Sequence, residues 1–152
     1  MMLTKTVIKI SPLSKLDTKQ ILSINQLIGQ LFGRFDHSLT KTYLNSIIKN
    51  PNTKLFTAVQ NKAIVGIVLM HIYTSLSRKV AIVDELVVNS RNKQQKVGHK
   101  LIGTAIKWAR KNNVDCIECT TKTTNKPAIN FFLKLGFYNR NQKALRLNLR
   151  KK

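Results

Sequence analysis

The chain has 152 residues, 43% of them hydrophobic, and 27 Lys plus Arg against 6 Asp plus Glu give a formal net charge of +21. That length supports one sizeable core, so a single domain over residues 1–152 is expected, with no room for a second catalytic module. A field this positive attracts nucleic acid, anionic surfaces and phosphate-rich cofactors and repels polycationic substrates.

The stretch TKTVIKI alternates like a strand, and SPLSKLD then reads as a loop. In DTKQILSINQLIGQLF the residues Ile21, Ile24, Leu27, Ile28 and Leu31 fall on one helical stripe. SLTKTYLNSIIKN predicts a second helix, ended by the following Pro and Asn residues. KLFTAVQNKAIVGIVLMHIY reads as a hairpin turning at Asn61 and Lys62, and SRKVAIVDELVV as the next strand, reached through the TSLS turn. From Val97 the pattern changes: Val97, Leu101, Ala105 and Trp108 recur at helical spacing. The strand VDCIECTT follows, then a short helix opening at Asn125, with Pro127 in its first turn and Gly136 placed to end it. FYNRNQKALRLNL predicts two final short strands. The order β-α-α-β-β-β-α-β-α-β-β implies an α/β fold of the α+β mixed-sheet type, flanked by helices.

The longest apolar run, Ala63 to Tyr73, is too short for a spanning helix, and the N-terminus shows no basic stretch leading into an apolar segment. A cytoplasmic protein with no membrane insertion is therefore expected. Cys116 and Cys119 form a C-x-x-C spacing, but within a strand residues three apart face opposite sides, and no second Cys or His cluster completes a metal site. Two reduced structural thiols and no metal are expected.

The stretch RNKQQKVGHKLIG joins the strand ending at Val88 to the helix beginning near Val97. Backbone N–H groups in that helix's first turn face the loop, a geometry that suits phosphate. One glycine in a basic loop is equally a solvated turn. The neighbouring segments add to it: the strand end ELVV, the loop itself and the downstream NKPAINFFLKLGF together resemble the GNAT superfamily of acyl-CoA-dependent N-acetyltransferases. In that family the loop reads Gln/Arg-x-x-Gly-x-Gly/Ala, and Lys93, Lys96 and Gly98 stand on its defined positions. The later pattern is matched at Asn125, Ala128, Phe131, Gly136 and Phe137, and the element order fits a GNAT-like, mostly antiparallel central sheet over nearly the whole chain.

The resemblance implies acetyl-CoA as acyl donor. It implies that the backbone of Leu86, Val87 and Val88 pairs with the pantetheine arm like an added strand. Gln94, Gln95, Lys96, Val97, Gly98 and His99 would then wrap the pyrophosphate, with Lys93 keeping a donor where the family has Gln or Arg. Asn125, Ala128 and Phe132 would complete the cofactor side. Two positions depart from the pattern. Lys96 replaces a glycine, which costs roughly 1 kcal/mol or more if that position needs φ > 0. Phe132 stands where family members often carry a tyrosine that protonates the departing thiolate, leaving water or a hydroxyl such as Tyr138, Thr123 or Thr124 to do so.

A general base must accept the ammonium proton of the incoming amine. Asp84 and Glu85 are adjacent, on the strand that should line the cleft; Glu85 is favoured and Asp84 second, against the plainer reading that both pair with surface lysines. On an ideal strand the two would face opposite sides, Asp84 with Ile82, Leu86 and Val88 and Glu85 with Val83 and Val87; the resemblance implies that this strand is often bulged, so parity does not choose between them. His71 reads as a satisfied core or edge histidine, His99 as an exposed helix histidine, and Trp108 as core. Backbone donors around Val87 would stabilise the oxyanion formed in acyl transfer. The reading is an N-acetyltransferase acting by direct attack on a primary amine of a small molecule, peptide or aminoacyl carrier, not polycationic. The alternative is a catalytically weakened CoA-binding GNAT fold, or a basic protein that holds nucleic acid non-specifically by its charge. The sequence does not fix the oligomeric state; a homodimer is one assembly compatible with it.

Overall fold

The computed structural model describes residues 7–33 and 38–150. The chain divides into two compact units, residues 1–120 and residues 121–152.

The first unit is a five-stranded sheet in the order β1-β2-β3-β4-β5. Its strands are β1 (Lys9–Pro12), β2 (Thr53–Gln60), β3 (Ala63–Thr74), β4 (Lys79–Val88) and β5 (Cys116–Cys119). The first four pair antiparallel, and β5 joins β4 in parallel. The β2–β3 hairpin turns at Asn61 and Lys62, both at positive φ (50° and 64°), which matches a two-residue turn whose twist suits paired strands. The first strand is found at Lys9–Pro12, later than the alternation of residues 4–10 suggests, and residues 4–6 of that stretch lie outside the described residues.

Helices α1 (Thr18–Phe32) and α2 (Lys41–Lys49) cover one face of the sheet, and α3 (Val97–Lys111) covers the other. α1 starts where sequence chemistry places it: Asp17 caps the Gln20 N–H at 2.7 Å while the Gln20 side chain returns to the Asp17 N–H at 3.0 Å. Its stripe buries Ile24, Leu27 and Ile28 against Leu55, Ile67 and Val87. Each such side chain contributes about 1.5–3 kcal/mol when fully buried. On the opposite face Leu101, Ile102 and Ala105 are fully buried, and Trp108 meets Phe56 edge to face at 6.0 Å.

Gly66 sets how close α3 lies to the sheet. A Cβ there would stand 3.0 Å from Leu101 Cδ1 and 3.2 Å from Val97 Cγ1. A larger residue there requires the Leu101 and Val97 side-chain ends to give by a few tenths of an ångström.

The second unit contains α4 (Lys126–Lys134), capped by the Asn125 side chain, which accepts the Ala128 N–H at 3.2 Å. Gly136 follows at φ 91°, as the sequence anticipates for a helix end. The two final strands predicted from FYNRNQKALRLNL are not formed: residues 137–150 carry no strand. The alternation of Leu145, Leu147 and Leu149 is real, but all three are exposed (91%, 82% and 90%). Period-two patterning needs a paired neighbour and a covering layer before it becomes a strand.

Candidate active site

The site grows from an irregularity in β4. Met70 pairs with Val83 and Val68 with Leu86, so two steps along β3 match three along β4. The extra residue is a β-bulge at Asp84 and Glu85. Val68 and Met70 are wholly buried under α3, which fixes the side to which Val83 and Leu86 belong. Both carboxylates between them therefore emerge on the α1/α2 side. The ideal-strand parity therefore does not hold here, and the bulge that the resemblance implies is present.

Asp84 is held by His71, with Nε2 to Oδ2 at 2.9 Å, and His71 Nδ1 lies 2.9 Å from Thr53 Oγ1. Nε2 faces the Asp84 carboxylate and Nδ1 the Thr53 hydroxyl, so both ring nitrogens have partners. His71 is thus a satisfied histidine, as its sequence context suggested, but the group it satisfies is one of the two candidate bases. Glu85 is more enclosed. Burial pushes its carboxyl above the ordinary value, the neighbouring Asp84 charge raises it further, and His71 and a backbone hydrogen bond draw it back. A carboxylate raised in this way is a better proton acceptor near neutral pH.

Beyond the bulge β4 loses its partner on one side. β5 pairs with β4 only from Val80 to Val83, whereas β4 continues to Val88. The Asn89 N–H donates to Val65 C=O at 2.8 Å, and Val88 stands opposite Gly66. That ladder phase turns the N–H and C=O of Leu86 and Val88 to the open edge and those of Val87 toward β3, which corrects the expectation that Val87 also pairs with an added chain. The strand end can therefore receive an extended chain through Leu86 and Val88.

At the end of β4, Asn89 opens a short 3-10 turn, η1 (Ser90–Gln95), and Lys96 adopts the left-handed conformation (φ 55°, ψ 28°) before α3. This is the residue for which the loop pattern expects glycine. α1, α2 and α4 are each capped by a side chain, from Asp17, Thr40 and Asn125, while Lys96 offers α3 no such bond. The first-turn amides of Val97 and Gly98 are left without a capping side chain, beside the exposed cations Lys93 and Lys96. Such an end favours an anion. Gln94 is exposed, and Gln95 and His99 flank the same turn.

Two positioning groups were not evident in the sequence. Gln60, at the end of β2, accepts from Asn92 Nδ2 at 2.6 Å and donates to Gln95 Oε1 at 3.0 Å, tying the loop to the sheet. Gln30 of α1 donates to Val88 C=O at 2.8 Å and accepts from the Ser90 N–H at 3.2 Å. Neither partner lies near its glutamine in sequence, so only the three-dimensional fold reveals them.

In the second unit, Phe132 stacks edge to face with Phe131 at 5.3 Å and with Phe137 at 5.1 Å, and Tyr138 is 80% exposed. Asn125 and Ala128 serve the N-terminus of α4. Cys116 and Cys119 are free thiols, with Cys119 raised by burial. Among the described residues no group of three His, Cys, Asp or Glu is placed to hold a metal, and no helix is long and apolar enough to cross a membrane.

The sequence matches the acetyltransferase (GNAT) family over residues 21–137. The chain belongs to the GNAT family. It is an N-acetyltransferase, and the family generally uses acetyl-CoA as acyl donor. The aminoalkylphosphonate N-acetyltransferase of Salmonella typhimurium is 25% identical over 134 residues, covering 86% of this chain and 87% of that protein. Among solved structures, an aminoglycoside acetyltransferase from an uncultured soil metagenomic sample, in complex with trehalose, superposes with a TM-score of 0.83 at 18% identity, covering 95% of this chain and 97% of the other. A transcriptional regulator from Bacillus halodurans gives 0.77 at 19% identity, covering 94% and 100%. At these identities the two structures establish a shared GNAT fold alone.

Proposed function

We propose that this GNAT chain transfers the acetyl group of acetyl-CoA to a primary amine of a small molecule or peptide, in a single direct attack with Glu85 as general base. The observation that carries the reading is the bulge: it sets a half-buried carboxylate, its proton affinity raised by burial, on the strand whose end turns peptide groups of Leu86 and Val88 to its unpaired edge. Bound acetyl-CoA supplies the reactive thioester. Leu86, through its outward N–H and C=O, and Val88, through its N–H, hold an extended pantetheine chain while Gln30 occupies the Val88 C=O, and the loop from Lys93 to His99 receives the pyrophosphate at the uncapped start of α3. Asp84, held by His71, raises the proton affinity of Glu85 and stands next in line as base. The family match runs through both compact units, which supports reading residues 1–152 as one domain.

Phe132 is no bar to turnover. An ordinary thiol has a pKa of about 8.5, so water can protonate the departing thiolate near neutral pH. The acceptor is an amine that also carries an anionic group, in preference to a polycation. The net charge of +21 supports this, as does the phosphonate in the name of the Salmonella relative.

Isothermal titration with acetyl-CoA, beside a Gly98→Asp variant, tests the donor site. Binding that the variant abolishes is expected, and absence of binding in the parent protein overturns the reading. An amine screen with Glu85→Gln and Asp84→Asn then tests the base: Glu85→Gln should lose turnover while keeping acetyl-CoA binding, and full turnover in that variant would remove Glu85 from the role.

A further inference from the structure

The positive charge is not spread evenly over the two long helices. α1 and α3 have 15 residues each, yet α1 carries one cation, Lys19, and α3 carries Lys100, Lys107, Arg110 and Lys111. A general enrichment in lysine would load both helices alike. On α1 the exposed positions besides that lysine are Thr18, Leu22, Gln26, Gln30, Leu31 and Phe32, none of them a cation. On α3 the four cations are exposed and fall within about 100° of arc, opposite the buried Leu101, Ala105 and Ala109. No carboxylate occurs between Glu85 and Asp115, and no ion pair among the described residues includes any of the four.

Only part of this arrangement serves the helix: Arg110 and Lys111 in the last turn suit its negative end, and the rest opposes it. Lys107 and Lys111 are like charges four residues apart, which weakens a helix by about 0.2–0.5 kcal/mol. Lys100 lies in the first turn, where the macrodipole disfavours a cation. A helix shaped for stability alone would interleave glutamate. Uncompensated cations in a line suit a partner with a line of anions. A four-residue step advances about 6 Å along the axis and Lys100 to Lys111 about 16 Å, a span over which a polynucleotide presents successive phosphates.

We propose that the outer face of α3 is a docking surface for a nucleic-acid strand, held through its phosphates. The face lies on the side of the sheet opposite α1, α2 and the paired carboxylates, so docking leaves the acceptor side open. Binding of this kind is sequence-tolerant and falls with salt. Each cation removed lowers the slope of log affinity against log salt by about 0.7 for a single strand.

The test is fluorescence anisotropy with a short, labelled, mixed-sequence single-stranded RNA across a salt series. A Lys107→Gln, Arg110→Gln, Lys111→Gln triple variant is set beside a charge-matched triple, Lys19→Gln, Lys41→Gln, Lys49→Gln. The α3 triple should lose about 2 from the salt slope and at least tenfold in affinity at moderate salt; the matched triple should stay within about twofold of the parent. Equal losses in both, or no RNA binding by the parent, would overturn the proposal. Vesicles rich in phosphatidylserine form a second arm: α3-dependent binding to them without RNA binding would assign the face to a membrane surface instead. Lysine-acylation footprinting of the unaltered protein guards against misfolded variants. RNA should shield Lys107 and Lys111 more than Lys19 and Lys41, and uniform shielding refutes a localised surface. Acetyl-CoA binding is read in parallel and is expected to be unchanged in both triples, so this proposal and the acetyltransferase reading can fail separately.

Discussion

Lys96→Gly should stabilise this protein, an unusual expectation for a lysine replaced by glycine at the start of a helix. Lys96 sits at φ 55°, ψ 28°. An L-residue pays about 1–2 kcal/mol for that region, and glycine is relieved of it. Against this, glycine adds freedom to the unfolded chain worth about 0.4–1 kcal/mol. Removing a cation from the positive end of α3 returns about 0.3–1 kcal/mol at low salt. The net gain is about 1 kcal/mol, which for a chain of this size raises the melting temperature by about 2–4 °C. Lys96→Ala is the control, because it removes the charge and keeps the strained backbone. Thermal unfolding of both variants at low and high salt separates the two contributions: the glycine-minus-alanine difference should persist in salt, and the alanine effect should shrink. A glycine variant that melts no higher than the alanine variant would refute the claim that backbone strain is stored at Lys96. Acetyl-CoA titration of the same pair reads whether the ammonium offsets that strain by holding phosphate.

The raised carboxyl of Glu85 places the acidic limb of kcat/KM above 4.5. Asp84→Asn should move the limb down and His71→Gln should move it up, since the first raises and the second lowers the Glu85 pKa; shifts of the same sign would exclude Glu85 as the titrating base. In stability the sign follows from the same shift. Ionised Glu85 costs stability at neutral pH, and the cost fades as pH falls through the raised value toward 4.5, so Glu85→Gln should be stabilising at neutral pH and lose its advantage in acid. Gly66→Ala pushes a methyl against Leu101 and Val97 and should cost about 1–3 kcal/mol in denaturant unfolding. Gln30→Ala frees the Val88 carbonyl and should tighten acetyl-CoA binding about threefold to tenfold by titration, the worth of one hydrogen bond no longer in competition.

Much of the fold could be read in advance because its signals are local. The capping box at Asp17 and Gln20, the Asn61-Lys62 turn and the stripe of α3 each depend on residues within a few positions of one another. Lys96 was legible too: a glycine position held by lysine implied strain, and its φ bears that out. The side taken by Asp84 and Glu85 was not, because the bulge follows from how β3 and β4 pair and not from β4 alone. The same holds for Gln30 and Gln60, whose partners are 58 and 32 residues away. The final strands failed for the opposite reason: the local alternation was present but nothing pairs with it.

Those unpaired leucines have a practical consequence. Leu145, Leu147 and Leu149 stand in an alternating segment with Lys143, Arg146 and Arg150, and no carboxylate follows Glu118. Cations flanking an apolar alternating stretch are gatekeepers: two copies cannot zip together without bringing like charges into register. The protection has the range of the screening length, about 10 Å at 0.1 M salt and 3 Å at 1 M. Concentrated salt, the usual remedy for a basic protein that sticks to columns and nucleic acid, would therefore lower this barrier and promote clumping through the tail.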